Sequence, residues 1–354
     1  MQRVAIIGLG LIGGSIGLGL RAWSSQQSKE SGNALEIAGF DTNLDQQAYA
    51  KKISAVDRTE WELAKAVRDA DIVVVCTPVR AMKETFTDIA PLLKSGSVVT
   101  DVGSTKADVL EWATEILPRT VSFVGGHPMA GKSLSIEGAE AELFKGVTWC
   151  VTPSVTATDE AVRNVLGMIA ALGAESYFVD PVEHDAYVAG VSHLPFVISA
   201  TLMNTLSGDN SWRDMKTLTA GGFRDMTRLS AGSPDMHRDI VLTNKRAILR
   251  WIDAFQQDLS RLRSAVEASN DEDVQAITGY FEQARDARAE WATQTTREGE
   301  LLQGTEADLS NEGFGDQMGR MLFGGFMRRK SLTDRVAKPA KSPAKPENGR
   351  RDAL

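Results

Sequence analysis

Residues 3–13, RVAIIGLGLIG, narrow the choice of fold more than any other stretch of this chain. A β-branched run passes without interruption into a GxGxxG hexapeptide, and a helical pattern opens directly behind it. Gly8 permits the tight turn, Gly10 lets backbone approach a pyrophosphate, and Gly13 lets the strand and the next helix pack closely. The start of that helix offers free N–H groups and the positive end of its dipole to phosphates. The spacing predicts an α/β fold with an N-terminal Rossmann-type dinucleotide-binding domain, in which Gly8, Gly10, Leu11, Ile12 and Gly13 form the phosphate-facing turn.

Further β-branched runs at 35–40, 71–78, 97–102, 121–126, 147–153 and 176–180 alternate with helical patterns, so a mostly parallel sheet covered on both faces is expected over 1–180. The polar stretch SSQQSKESGN (24–33) reads as an extended loop. The second strand ends in GFD and puts Asp41 where an acid accepts hydrogen bonds from both ribose hydroxyls. It lies further downstream than the usual ~20 residues, an excess the polar loop accounts for. A carboxylate there repels a 2′-phosphate, which favours NAD over NADP. Thr77 and Pro78 of CTP end the next strand at the carboxyl edge of the sheet, where nicotinamide dinucleotides lie.

After Pro181 the strand signals stop. EHDAYVAGVSHLPFVISATLMNTL is apolar nearly all round, and MHRDIVLTNKRAILRWIDAFQQDLSRLRSAVEA repeats apolar residues at three- and four-residue steps. A third helix is expected over 271–297, making 181–300 an all-helical substrate and dimerisation domain. Its first helix needs cover, and a homodimer supplies it. The Lys-, Pro- and Ser-rich segment 301–354 is expected to be a disordered basic tail. A net charge of −8 argues against nucleic acid as partner. No apolar run is read as membrane-spanning, no leader precedes the first strand, and no Cys/His cluster suggests a metal, so a cytoplasmic protein without metal is expected.

Two more segments end strands at the same edge: DVGSTK with Ser104 and Lys106, and GGHPMAG with His127. A neutral imidazole there accepts the proton of a carbinol as its carbon is oxidised, with a pKa suited to neutral pH. Ser104 is placed to hold the ring by a hydrogen bond and to bridge to a substrate. His193, on the apolar first helix of the second half, reads either as a satisfied core residue or as a site residue, and Pro195 should kink that helix.

In this order, GLGLIGGS, DVGSTK, GGHPMAG, EHDAYVAGVSHLP and GGFRDMTRLSAGSPDMHRDI resemble the prephenate and arogenate dehydrogenases of tyrosine biosynthesis over about 3–265. The resemblance implies an NAD-dependent oxidative decarboxylation, with a small-molecule substrate, prephenate or arogenate. It implies that His127 takes the proton of the ring C4 hydroxyl, that Ser104 orients it, and that His193 faces the cleft. Arg228 would bind a substrate carboxylate through its guanidinium fork, with Arg224 one turn earlier either adding positive charge or pairing across the subunit interface. Because the departing carboxylate must lose its charge, Arg228 should serve binding more than rate.

The chain also departs from that family. Phe196 stands where many prephenate users carry a second histidine, and Lys132-Ser133 replaces a pattern with glutamate. His237 stands where tryptophan is common. The first two changes resemble arogenate users, whereas Lys132 could attract the keto acid carboxylate of prephenate. Asp225 could pair with the ammonium of arogenate, so the choice of substrate stays open. No folded regulatory domain is expected after residue 300, so tyrosine would have to inhibit at the active site. The rival readings are a β-hydroxyacid dehydrogenase-like reductase, which would rely on a lysine of the second domain, and a non-catalytic NAD sensor, which need not keep His127, Ser104 and Arg228.

Overall fold

The structure is a computed structural model that describes residues 2–31, 35–132, 134–268 and 271–309. Eight strands build one sheet: β1 (Gln2–Ile7), β2 (Leu35–Phe40), β3 (Arg58–Thr59), β4 (Ile72–Val75), β5 (Val98–Asp101), β6 (Ser122–Pro128), β7 (Thr148–Pro153) and β8 (Glu175–Phe178). Their spatial order is β3-β2-β1-β4-β5-β6-β7-β8, parallel throughout except between β6 and β7. Seven of the eight strands match expected runs in the first half; the two-residue β3 is too short to leave a sequence signal.

Alternate residues of each central strand feed opposite faces of the sheet. Val4, Ile6, Val74 and Val98 enter one core, while Ala5, Ile7, Val73, Val75 and Val99 enter the other. Both faces are therefore dry, which is why these strands read as continuous apolar runs. Each of these valines and isoleucines contributes roughly 1.5–3 kcal/mol on burial.

Helices α1 (Leu11–Ser31), α2 (Leu44–Lys52), α3 (Leu63–Val67), α4 (Ala81–Ile89), α5 (Ala107–Ile116) and α6 (Asp159–Ala171) cover the sheet. One expectation fails here. Residues 24–31 continue α1 instead of forming a loop. Serine, glutamine, lysine and glutamate are all tolerated in a helix, and neither glycine nor proline interrupts the stretch before Gly32.

The second half is helical as expected: α7 (Pro181–Val188), α8 (Leu194–Ser207), α9 (Trp212–Met215), α10 (Gly221–Thr227), α11 (Pro234–Thr243), α12 (Lys245–Ala268) and α13 (Asp271–Leu309). Asp180 caps α7 by accepting from Val182 N and Glu183 N, with Pro181 at the first helical position. A π-helical turn, Ala189–His193, joins α7 to α8 directly before Pro195, whose missing N–H prevents a regular ladder at that point. The long periodic run after residue 234 breaks at Asn244, which leaves helical geometry (φ −126°, ψ 34°) between α11 and α12. Helix α13 extends past the expected end at 297, through Leu309; the basic tail beyond it lies outside the described residues.

The chain forms two compact units, Met1–Asp258 and Leu259–Leu354. Within the first, Ala189, Phe196, Ile240 and Ile248 make a small third core. The segment Pro181–Ser207 corrects another expectation, being long and apolar enough by length and composition to cross a membrane. Interspersed Gly, Ser, His and Asn obscure this in the sequence. One face of the segment packs into the protein through His184, Asp185, Val188, His193 and Phe196, while Val182, Tyr187 and Val191 are exposed.

Gly190 lies under the indole of Trp251, and a Cβ there would come within 2.8 Å of the ring. That ring is fixed by a 3.2 Å hydrogen bond from its Nε1 to the Ala186 carbonyl, so it has little freedom to give way. Gly190→Ala should cost about 1–3 kcal/mol by overpacking, read as a lower midpoint of urea unfolding; an unchanged midpoint would show the ring to be mobile.

Candidate active site

At one end of a cavity of about 850 Å³ lies the glycine turn. Gly8 has φ +95°, and a Cβ there would sit 2.6 Å from the Cys76 carbonyl oxygen. A Cβ on Gly13 would sit 2.0 Å from the Gly8 oxygen, so strand and helix can approach only because both are glycine. Over Gly10 the space is open, its nearest neighbour being Gln46 Oε1 at 3.9 Å. Leu9 N donates to Asp41 Oδ2 and Asn43 N to Asp41 Oδ1, both at 2.7 Å, which fixes the carboxylate at the cavity wall. Leu11, Ile12, Thr77 and Pro78 complete this end, and the buried Thr77 Oγ1 has no partner in the structure. An open glycine turn, an anchored acid and an orphaned hydroxyl suit a dinucleotide.

His127, Ser104 and Lys132 line the same cavity. His127 is the penultimate residue of β6, and the strand is packed tightly behind it. A Cβ on Gly126 would meet Asp101 O and Trp149 Nε1, each at 2.7 Å. Beside it lies a buried ion pair between Lys106 and Asp101, 1% and 0% exposed. Lys106 Nζ also donates to Gly126 O at 2.7 Å, and Asp101 accepts from Gly103 N at 2.7 Å and Gly126 N at 3.1 Å. So many partners offset the desolvation of both charges.

The imidazole of His127 is held by His184, with Nδ1 and Nε2 2.8 Å apart and the rings edge to face. His184 Nδ1 in turn lies 2.8 Å from Asp185 Oδ1. Asp185 accepts from Lys106 N at 2.8 Å and Ala107 N at 3.0 Å, at the start of α5. Ser104 was expected to hold the His127 ring; it lines the cavity, but the contact at Nδ1 comes from His184. Burial pushes the His127 pKa well below the ordinary imidazole value, and the nearby Lys106 ammonium opposes a positive charge on the ring as well. The ring is therefore neutral at physiological pH, as a proton acceptor must be.

His193 is buried, and its Nδ1 accepts from Asn244 Nδ2 at 3.2 Å, so Nε2 carries the hydrogen; that nitrogen has no partner. Asn244 Nδ2 also donates to the Asp185 carbonyl at 2.7 Å. Phe196 and His237 stack with centroids 4.3 Å apart. Lys132 is paired with Glu140 at 2.6 Å. Arg224 and Arg228 are exposed on α10 and at its C-terminal end, and neither lines the cavity. His184, Asp185, Asp101 and Asn244 were not singled out from the sequence, although EHD and DVGSTK contain three of them. A histidine-aspartate pair just inside a proline-started helix was the available signal.

A Rossmann-type sheet with a phosphate turn and a neutral histidine opening into one cavity defines a dinucleotide-binding oxidoreductase. The family model for the nucleotide-binding domain of prephenate dehydrogenase matches residues 25–178, and that for its dimerization domain matches 180–283. The prephenate dehydrogenase of Bacillus subtilis is 34% identical over 293 residues, 81% of this chain and 75% of that protein. The cyclohexadienyl dehydrogenase of Zymomonas mobilis is 32% identical, over 81% of this chain and 95% of that protein. Prephenate dehydrogenase from Aquifex aeolicus, solved with hydroxyphenyl propionate and NAD+, aligns with TM-score 0.74 at 28% identity, covering 82% of this chain and 98% of that one. Synechocystis arogenate dehydrogenase aligns with TM-score 0.68 at 27% identity, covering 82% and 100%. The chain belongs to the prephenate dehydrogenase family.

Burial lowers the pKa of His193 from 6.5 to about 4, against the opposing pull of Asp185. The folded chain keeps this ring neutral while the unfolded chain protonates it. Its contribution is therefore intact above pH 6.5 and lost as pH falls from there towards 4. The loss amounts to about 1.4 kcal/mol per pH unit. Between pH 7 and 5, denaturant unfolding of His193→Asn should lose about 2 kcal/mol less than the parent; parallel losses would place the acid sensitivity elsewhere.

Proposed function

We propose that the chain catalyses the NAD-dependent oxidative decarboxylation of prephenate to 4-hydroxyphenylpyruvate and CO2, with arogenate as the competing substrate. The observation that carries this reading is the sharing of one cavity by the dinucleotide turn and His127. When bound, NAD supplies the two-electron acceptor for the C4–H bond. Gly8, Gly10, Leu11, Ile12 and Gly13 would hold its pyrophosphate, Asp41 its ribose, and Thr77 and Pro78 the nicotinamide end. His127 polarises the C4 hydroxyl and holds its proton while the C4–O bond gains carbonyl character. The ring carboxylate departs as CO2 and leaves its bonding pair in the ring. The proton then returns to oxygen as the ring becomes a phenol, so His127 ends neutral. Ser104, at the same wall, is assigned to the same hydroxyl.

Arg228, with Arg224 beside it, is assigned to a substrate carboxylate, and His193 Nε2–H to a further acceptor on the substrate. Since both arginines are exposed outside the cavity on the segment matched by the dimerization domain, we assign them to the cleft of a second copy in a homodimer. In this reading residues 1–180 are the NAD-binding domain, 181–300 the substrate and dimerisation domain, and the enzyme works in the cytoplasm. Arogenate gains support from Phe196, which offers no polar group to a keto acid, and from the Synechocystis relative. Prephenate gains support from Lys132 and the Bacillus relative.

Offering prephenate and arogenate in parallel, each with NAD or NADP, should give NADH with at least one substrate and little NADPH. No turnover of either, with NAD bound, would overturn the reading. His127→Asn should lower kcat by about 10²–10⁴-fold with little change in KM. Arg228→Ala should instead raise KM more than it lowers kcat. Mixing these two variants should regain activity, because a mixed dimer then holds one intact site; no regain would place Arg228 in its own chain's cleft.

A further inference from the structure

Which nitrogen of His127 carries the hydrogen decides whether the ring can accept a proton from the cavity, and the answer is set two side chains away. Asp185 is held as an acceptor by two backbone N–H groups at the start of α5. Its Oδ1 faces His184 Nδ1 at 2.8 Å, so that nitrogen must be the donor. A neutral imidazole that donates through Nδ1 has only a lone pair at Nε2. His184 Nε2 faces His127 Nδ1 at 2.8 Å, so His127 must donate there. His127 Nε2 is then left as the lone pair.

We propose that His184 and Asp185 are positioning residues that hold His127 as the Nδ1–H tautomer, with its basic nitrogen Nε2 free for the substrate hydroxyl. The proposal rests on His127 being the proton acceptor. The opposite polarity would need His184 to turn a lone pair to a carboxylate, or to be a cation donating through both nitrogens. Either arrangement would put the hydrogen on His127 Nε2 and block the base. Asn244 reinforces the arrangement from outside, because its Nδ2 donates to the Asp185 carbonyl while contacting His193. His184 is 1% exposed, so water cannot substitute for it at Nδ1.

The chain has only four histidines, so the full-length protein labelled with ¹⁵N-histidine gives a tractable spectrum. The expected result is a pyrrole-type Nδ1 and a pyridine-type Nε2 for His127, assigned by its loss in His127→Asn. A protonated Nε2 on His127, or a doubly protonated His184, would overturn the proposal without any reference to turnover. In kinetics, His184→Phe should lower kcat by about 100-fold, with KM for substrate and NAD within about threefold. His184→Gln, whose Oε1 can still accept from Nδ1–H, should recover most of that loss. Equal losses in both variants, or a KM rise matching the fall in kcat, would make His184 a packing residue only. If the wild type turns over neither substrate yet His127 shows the Nδ1–H tautomer, the functional reading fails and the positioning argument stands.

Discussion

The Asp185 carboxylate is where the parts of this site meet. It ends the chain of hydrogen bonds from His127 and accepts the first two N–H groups offered around the start of α5. Its backbone carbonyl takes a bond from Asn244, at the break between α11 and α12. A single residue on α7 thereby joins the sheet's carboxyl edge, the helix behind that edge and the helices of the second half. A carboxylate at a helix N-terminus is favoured by the dipole and by the unsatisfied N–H groups there. The same contacts that anchor α7 therefore also orient the carboxylate.

The neighbouring Lys106–Asp101 pair has a different role. It is buried, hydrogen-bonded on both sides and at the base of the loop that carries Ser104. Breaking such a pair by removing one partner is far costlier than its net contribution, because the other charge is left stranded. Its location also matters to His127. An ammonium near the imidazole opposes a second positive charge, adding to burial in keeping the ring neutral. One buried lysine thus closes the loop beneath the cavity and helps keep the His127 imidazole neutral.

What the sequence made legible were features with local causes. GLGLIG specifies its own turn because only glycine avoids the Gly8–Cys76 and Gly13–Gly8 clashes, and the sheet shows itself through unbroken β-branched runs. The strand that carries His127 near its end was legible for the same reason. What was not legible depends on contacts distant in sequence. His184 reaches His127 across 57 positions and Asn244 reaches Asp185 across 59, so neither pairing leaves a local pattern. Ser104 looked like the partner of His127 because both end strands at one edge, whereas the ring's geometry was decided by a helix that crosses it. Residues 24–31 looked like a loop because polarity was weighed above helix propensity.

The site is also unevenly finished. Its proton-handling groups, His127, His184, Asp185 and the Lys106–Asp101 pair, are enclosed and mutually hydrogen-bonded within one chain. Its carboxylate-binding candidates, Arg224 and Arg228, stand in solvent. That division has a physical logic. A base must be dry and fixed before the substrate arrives, because its tautomer cannot be corrected by the substrate. A guanidinium loses nothing by waiting in water, and gains most when a carboxylate and a covering surface desolvate it together. Since the reaction must release one substrate carboxylate as neutral CO2, a grip formed only around the bound substrate, as proposed for these arginines, would hold the anion without being rigid enough to oppose its loss.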